Sequence, residues 1–109
     1  MTLSVNANYP AQAASVVNFY SAGLTSDAGA AADTYINCGF KPRYVKLFNI
    51  TDLATVEFID GMAANSGLQE VTAGTKSIVA SAMVLDDKGF TLKAAVIPAS
   101  KSFAVVAFG

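Results

Sequence analysis

Residues 38–62, CGFKPRYVKLFNITDLATVEFIDGM, read as two successive strands joined by a short link. In RYVKLFNI, Tyr44, Lys46, Phe48 and Ile50 leave one face and Arg43, Val45, Leu47 and Asn49 the other, because neighbouring residues of a strand point to opposite sides. Pro42 suits the start of that strand, where no ladder N–H is missed. After the link TDLA, the segment TVEFID places Val56 and Phe58 on one face and Glu57 and Ile59 on the other. A period of two sustained through both segments predicts an all-β domain.

The pattern repeats outward. GMAANSG, crowded with small and turn-forming residues, predicts a loop. LQEV and TKSIVASAMVL each predict one strand, around the turn TAGT with Gly74 at positive φ. DDKGF predicts a hairpin with a bulge in which Gly89 occupies the left-handed region, leading into a strand over FTLKAAVI. Pro98 and the following ASK predict a further turn before SFAVVAF, in which Phe103, Val105 and Ala107 oppose Ala104, Val106 and Phe108. On the N-terminal side, SVVNFYSAG at 15–23 predicts a strand ending at Gly23, and LTSDAGAAAD a loop. Six or seven short strands with turns at this spacing predict a small antiparallel β-sandwich or barrel. Gly-Phe occurs at 39–40 and again at 89–90, a repeat that would mark equivalent corners of two sheets but is too short to establish a duplication.

At 109 residues and 11.2 kDa the chain is expected to be one domain, burying roughly 65% of its unfolded surface, enough for a core without disulfides. Composition changes near residue 33. Residues 1–33 carry no Lys or Arg and only two acids, Asp27 and Asp33, whereas residues 34–109 hold all seven basic residues. This predicts an extended N-terminal arm, 1–33, and a β-sandwich body, 34–109. Phe19 and Tyr20, beside an uncharged flank, are the aromatic anchors by which the arm would dock on a neighbour. The equal alternative is that the arm adds an edge strand to its own body.

Only 14% of residues are charged, against about 25% in an average soluble domain. The 53% apolar fraction is less telling, since twenty of those residues are Ala. Sparse charge points to a surface covered by a partner, because interface cores are depleted in Lys, Glu and Asp. The net charge of −1, with basic residues scattered singly from Lys41 to Lys101, disfavours nucleic acid, which needs clustered cations to release counterions. MTLSVNANYPAQAASVV has no basic region ahead of its apolar residues, and the longest apolar run, IVASAMVL at 78–85, is far short of the ~20 residues of a membrane span. A soluble protein made in the cytosol is expected.

No reactive constellation emerges. Without histidine the chain lacks the usual general base and the commonest zinc ligand, so Cys38 has no imidazole to activate it and reads as a small buried apolar residue. Asp52, Glu57 and Asp60 do not have calcium-loop spacing, and Asp86 and Asp87 are the residues a turn favours. GTKS at 74–77 lacks the earlier glycine of a phosphate loop, and Asn49-Ile50-Thr51 matches the glycosylation triplet without a secretory signal. No catalytic residue, metal or cofactor is expected. Four tyrosines, at 9, 20, 35 and 44, keep a glycan-binding module as an alternative, beside a fibre- or tail-associated module.

The run GFKPRYVKLFNITDLATVEFIDGMA, with VTAGTKSIVAS and DDKGFTLKAAVIPASKSF, resembles the capsid decoration, or cement, proteins of tailed bacteriophages. The resemblance covers about residues 38–103 and rests on Gly39, Phe40, Pro42, Tyr44, Val45, Asn49, Thr51, Asp52, Gly61, Met62, Gly89 and Phe90, with Phe58 where the pattern favours an aromatic such as Trp. These are scaffold positions, and the arm lies outside them. The resemblance implies a non-enzymatic protein on the outer capsid of the virion, made in the bacterial cytoplasm. It implies a homotrimer that bridges neighbouring major capsid subunits and stabilises the expanded shell.

Overall fold

The structure, a computed structural model, describes residues 18–109. Among the described residues nine strands follow in order: β1 Phe19–Thr25, β2 Thr34–Asn37, β3 Tyr44–Asn49, β4 Ala54–Ile59, β5 Gly67–Glu70, β6 Lys76–Val79, β7 Met83–Leu85, β8 Gly89–Leu92 and β9 Ser102–Phe108. They form two antiparallel sheets, one of six strands in the order β1-β9-β3-β4-β5-β6 and one of three in the order β2-β8-β7. The described residues measure 45 × 35 × 20 Å.

Alternation in β3, β4 and β9 is as the pattern requires. Val45, Leu47, Val56, Phe58, Phe103, Val105 and Ala107 turn inward from the larger sheet, to meet Ile36, Met83, Phe90 and Leu92 of the smaller one. Phe90, at the centre of this sandwich, is fully buried, which contributes about 1.5–3 kcal/mol relative to exposure.

The link after β3 explains the Asn-Ile-Thr-Asp sequence. Asn49 is buried, and its amide donates to Asp52 Oδ2 at 3.0 Å while its carbonyl oxygen accepts the Asp52 N–H at 3.0 Å. Thr51 Oγ1 accepts the Ser102 N–H, and Lys101 pairs with Asp52, tying the turn to β9. Asn49 is thus consumed by the turn and offers no accessible amide for a glycan. Leu53 follows at φ 56, while Gly61 and Gly74 take φ 108 and 86, the latter as expected. The Ile59 N–H donates to the Met62 sulfur at 3.3 Å, closing the Asp-Gly-Met corner.

Four expectations are corrected. The segment TKSIVASAMVL is two strands in different sheets, because alternation fails at Ala80-Ser81-Ala82. There the chain crosses over Gly67, whose missing Cβ would stand 2.8 Å from that of Ala82 and 2.7 Å from Val56. The strand expected over FTLKAAVI stops at Leu92, where Asp33 accepts the Ala94 N–H and pairs with Lys93, and Ala94–Val96 forms a 3₁₀ turn. Gly89 is not left-handed and there is no bulge: it is a strand residue paired with Asn37, and the hairpin connection is Asp87-Lys88. Consequently Gly39 and Gly89 are not equivalent corners; Gly39, at φ 89, donates its N–H to the Lys88 carbonyl on the adjoining strand end. That equivalence is the fourth expectation corrected; β2, beyond these, is a strand the sequence pattern does not reveal.

Of the N-terminal strand expected at 15–23, residues 15–17 lie outside the described residues. From Phe19 onward β1 pairs with β9 through its whole length, as an edge strand of its own sheet. Ser26 anchors the end of β1, donating its hydroxyl to Pro98 O at 2.7 Å.

Candidate functional site

Antiparallel register places Phe19 opposite Phe108, Phe108 opposite Tyr44, and Tyr44 opposite Ile59. All four side chains leave the outer face of the six-stranded sheet, since each is flanked along its strand by a residue that turns inward. The result is one transverse row across β1, β9, β3 and β4. The Phe19 and Phe108 rings are 5.1 Å apart and tilted by 51°, and Phe108 and Tyr44 are 6.0 Å apart, both within the range of favourable aromatic pairs. The row is nevertheless open: Phe19 is 54% exposed, Ile59 51% and Phe108 39%.

The next row reads Ser21, Val106, Lys46, Glu57, Leu68 and Ile78 from one edge to the other. Glu57 accepts a hydrogen bond from the Tyr44 hydroxyl at 2.7 Å, so the phenol end of the aromatic row is polar and held in place. Partial burial first, and the neighbouring carboxylate second, raise the Tyr44 pKa to about 12. It is a neutral hydrogen-bond donor at physiological pH.

The two aromatic residues singled out in the sequence part company. Phe19 belongs to the outer row, whereas Tyr20 turns to the inner face and packs on the core. Tyr9 lies outside the described residues. Phe108, Tyr44 and Ile59 complete the row, and the sequence offered a signal for them: SFAVVAF is apolar on both faces, which an antiparallel strand with one wet face is not.

The other chemistry-bearing groups serve the fold. Asp86 accepts the N–H groups of Lys88 and Gly89 and the Tyr35 hydroxyl, and the Lys88 N–H is the leading cause that holds its carboxyl below the ordinary range. Asp33 is lowered chiefly by its hydrogen bond from Lys93. Tyr35 is raised, by desolvation first and Asp86 second. Half-buried Cys38 packs against the core and its thiol donates to Phe40 O at 3.2 Å. A cleft of about 200 Å³ between Leu47, Val56, Thr72 and Pro98 contains one carboxylate, Asp52, whose oxygens are engaged by Lys101 and Asn49. Among the described residues no three Cys, Asp or Glu side chains gather as a metal site would require, and no helix is long and apolar enough to cross a membrane. Among the described residues, the apolar outer row is a feature that the fold leaves unused.

Set against family models, curated proteins and solved structures, the chain matches none of them.

Proposed function

We propose that this chain is a non-enzymatic virion structural protein of a tailed bacteriophage, which decorates the expanded capsid as a homotrimer and bridges neighbouring major capsid subunits. The supporting observation is the row Phe19, Phe108, Tyr44 and Ile59, open on the outer face of the larger sheet. A sheet face turned to water is ordinarily polar, and clustered aromatics with few charges are the composition of an interface core. The likeness of residues 38–103 to decoration proteins supplies the partner, the major capsid protein, and the place, the outer surface of the virion.

The mechanism is mass action. A ligand that binds only the expanded shell stabilises it by RT ln(1 + [L]/Kd) per site, about 2.7 kcal/mol at a hundredfold excess over Kd. No bond is made or broken.

The test is co-sedimentation of the pure protein with empty expanded capsids, together with the thermal midpoint of those capsids. Saturable occupancy and a raised midpoint are expected, with both reduced by Phe19→Ser and Phe108→Ser in proteins whose circular dichroism is unchanged. Absence of co-sedimentation, or undiminished occupancy by folded row variants, rejects the reading. The contribution of the arm is tested by removing residues 1–17, since β1 is part of the sheet and a cut at residue 33 would remove it.

A further inference from the structure

A sheet edge presents unpaired N–H and C=O groups, and proteins blunt such edges with short strands, charge, proline or bulges. Among the described residues, three of the four sheet edges are short: β2 and β6 have four residues and β7 has three. β6 carries Lys76, β2 is flanked by the Asp33–Lys93 ion pair, and β7 runs into Asp86-Asp87-Lys88. The fourth, β1, is seven residues long, FYSAGLT, with no charge and no proline, and it pairs continuously without a bulge on its other side.

Hydrogen bonding at both ends of β1 shows which of its groups face outward. Gly109 donates its N–H to Asn18 O at 3.0 Å, and Ser26 donates its own to Lys101 O at 2.9 Å. The two partners are an even number of residues apart, so in the alternating antiparallel ladder the main-chain groups of Tyr20, Ala22 and Leu24 also point to β9. Those of Phe19, Ser21, Gly23 and Thr25 therefore point away from it, to an edge that no strand among the described residues covers.

We propose that β1 is a strand-addition site for a second copy of this chain, the two β1 strands lying antiparallel about a twofold axis at Ala22. This register, and no other, overlaps all seven residues. It places Phe19 opposite Thr25 and Ser21 opposite Gly23 of the second copy, so the outward-pointing residues meet only one another. The four such pairs form two bonds each, about eight in all, comparable to the roughly 10 ± 5 of a standard interface. At the centre Ala22 faces Ala22 in a pair without hydrogen bonds, where Cα atoms come to about 4.5 Å and small side chains fit.

Charge and packing agree with this occupant. β1 has no Lys, Arg, Asp or Glu, so self-apposition of a chain of net charge −1 brings no like charges together along the strand. On the core side, Tyr20 of the second copy meets Leu24 at the mouth of an apolar cleft of about 150 Å³ lined by Leu24, Leu92, Ile97 and Phe103. The contact uses mainly main-chain edge and inner-face groups and meets the outer row only where Phe19 lies opposite Thr25 of the second copy, so it can link copies already held in a larger oligomer.

The test is register-specific crosslinking of the full chain with Cys38→Ser as background. Ala22→Cys should oxidise readily to a disulfide-linked dimer, because its Cα spacing falls within the range a disulfide spans. Ile78→Cys, on the exposed β6 edge, should not. Sedimentation of the unmodified protein should show self-association. Ser21→Pro removes one outward N–H per copy and should weaken association at least about tenfold with circular dichroism unchanged. If the unmodified chain is monomeric at its highest soluble concentration, or Ala22→Cys links no faster than Ile78→Cys, the proposal is overturned. Unchanged association of a folded Ser21→Pro protein overturns it as well; should that variant fail to fold, the crosslinking comparison decides.

Discussion

Replacing Gly89 by alanine separates two reasons for a glycine. A Cβ there would stand 2.0 Å from the Ile36 carbonyl oxygen, a full 1.0 Å inside the 3.0 Å limit that real Cβ contacts respect. The obstacle is main chain and cannot rotate away, so β2 must shift or unpair from β8. Overpacking of this kind costs about 1–3 kcal/mol. Unpairing instead exposes Ile36, now only 6% accessible, at about 1.5–3 kcal/mol for its side chain. Gly89→Ala is therefore expected to lose ~1–3 kcal/mol, a large share of the ~5–15 kcal/mol that holds a domain together, and to lower Tm by roughly 4–8 °C for each kcal/mol lost. Urea denaturation gives the loss, and amide exchange at Ile36 locates it in β2. Gly89→Asn sharpens the test, because asparagine is tolerated in the left-handed region but brings the same Cβ. A close approach makes Asn at least as damaging as Ala. Gly23→Ala, with nothing within 4 Å of the added atom, serves as the control and should change stability by no more than ~1 kcal/mol, in the stabilising direction. The reasoning fails if Gly89→Ala costs under ~0.5 kcal/mol, or if Asn is better tolerated than Ala.

Asn49→Asp removes the amide donor and sets a second carboxylate against Asp52 Oδ2, so at neutral pH it should destabilise by more than the ~1–3 kcal/mol expected for Asn49→Ala, and the difference should shrink below pH ~4 in pH-resolved urea titrations. Asp33 and Asp86 have lowered folded-state pKa values, so their stabilising contribution is present above the ordinary carboxylate range and is lost as pH falls through the folded values; Asp33→Asn and Asp86→Asn should flatten the acid limb of the stability profile. Tyr44 is the opposite case, a neutral acid raised to about 12, whose contribution is present below the unfolded value near 10 and is lost as pH rises toward 12. Tyr44→Phe should abolish that alkaline loss, and with it a tyrosine titration near 12 in ultraviolet difference spectra.

Inner and outer faces of β3, β4 and β9 are legible in the sequence because each strand carries its own period of two, and the buried residues Val45, Leu47, Val56, Phe58, Phe103 and Val105 follow directly from it. β2 is not legible. Thr34-Tyr35-Ile36-Asn37 buries one residue, Ile36, and exists as a strand because β8 lies beside it with no side chain at Gly89. Likewise the break at Ala80-Ser81-Ala82 depends on Gly67 across the chain, and the stop at Leu92 on Asp33, some sixty positions away. The outer row was half visible: Phe19 stands out beside an uncharged flank, but its neighbours Tyr44, Ile59 and Phe108 come from three other strands and are joined by register alone. Composition showed that some surface was sparse in charge without showing which.

β1 sits where the two uncovered surfaces meet, and its pleat keeps them apart. The Phe19 side chain belongs to the outer row, while its main chain faces the open edge with those of Ser21, Gly23 and Thr25. A side-chain change and a main-chain change therefore address different contacts in one strand. Phe19→Ser leaves every edge N–H in place, so it should impair a partner seated on the sheet face and cost strand addition only the cross-strand contact with Thr25, about 0.2–1 kcal/mol per pair. Ser21→Pro leaves Phe19, Phe108, Tyr44 and Ile59 untouched, so its effects should be the reverse. If both variants instead lose shell binding and self-association together while remaining folded, the two surfaces act as one, and the shell is bound only by copies already joined through β1.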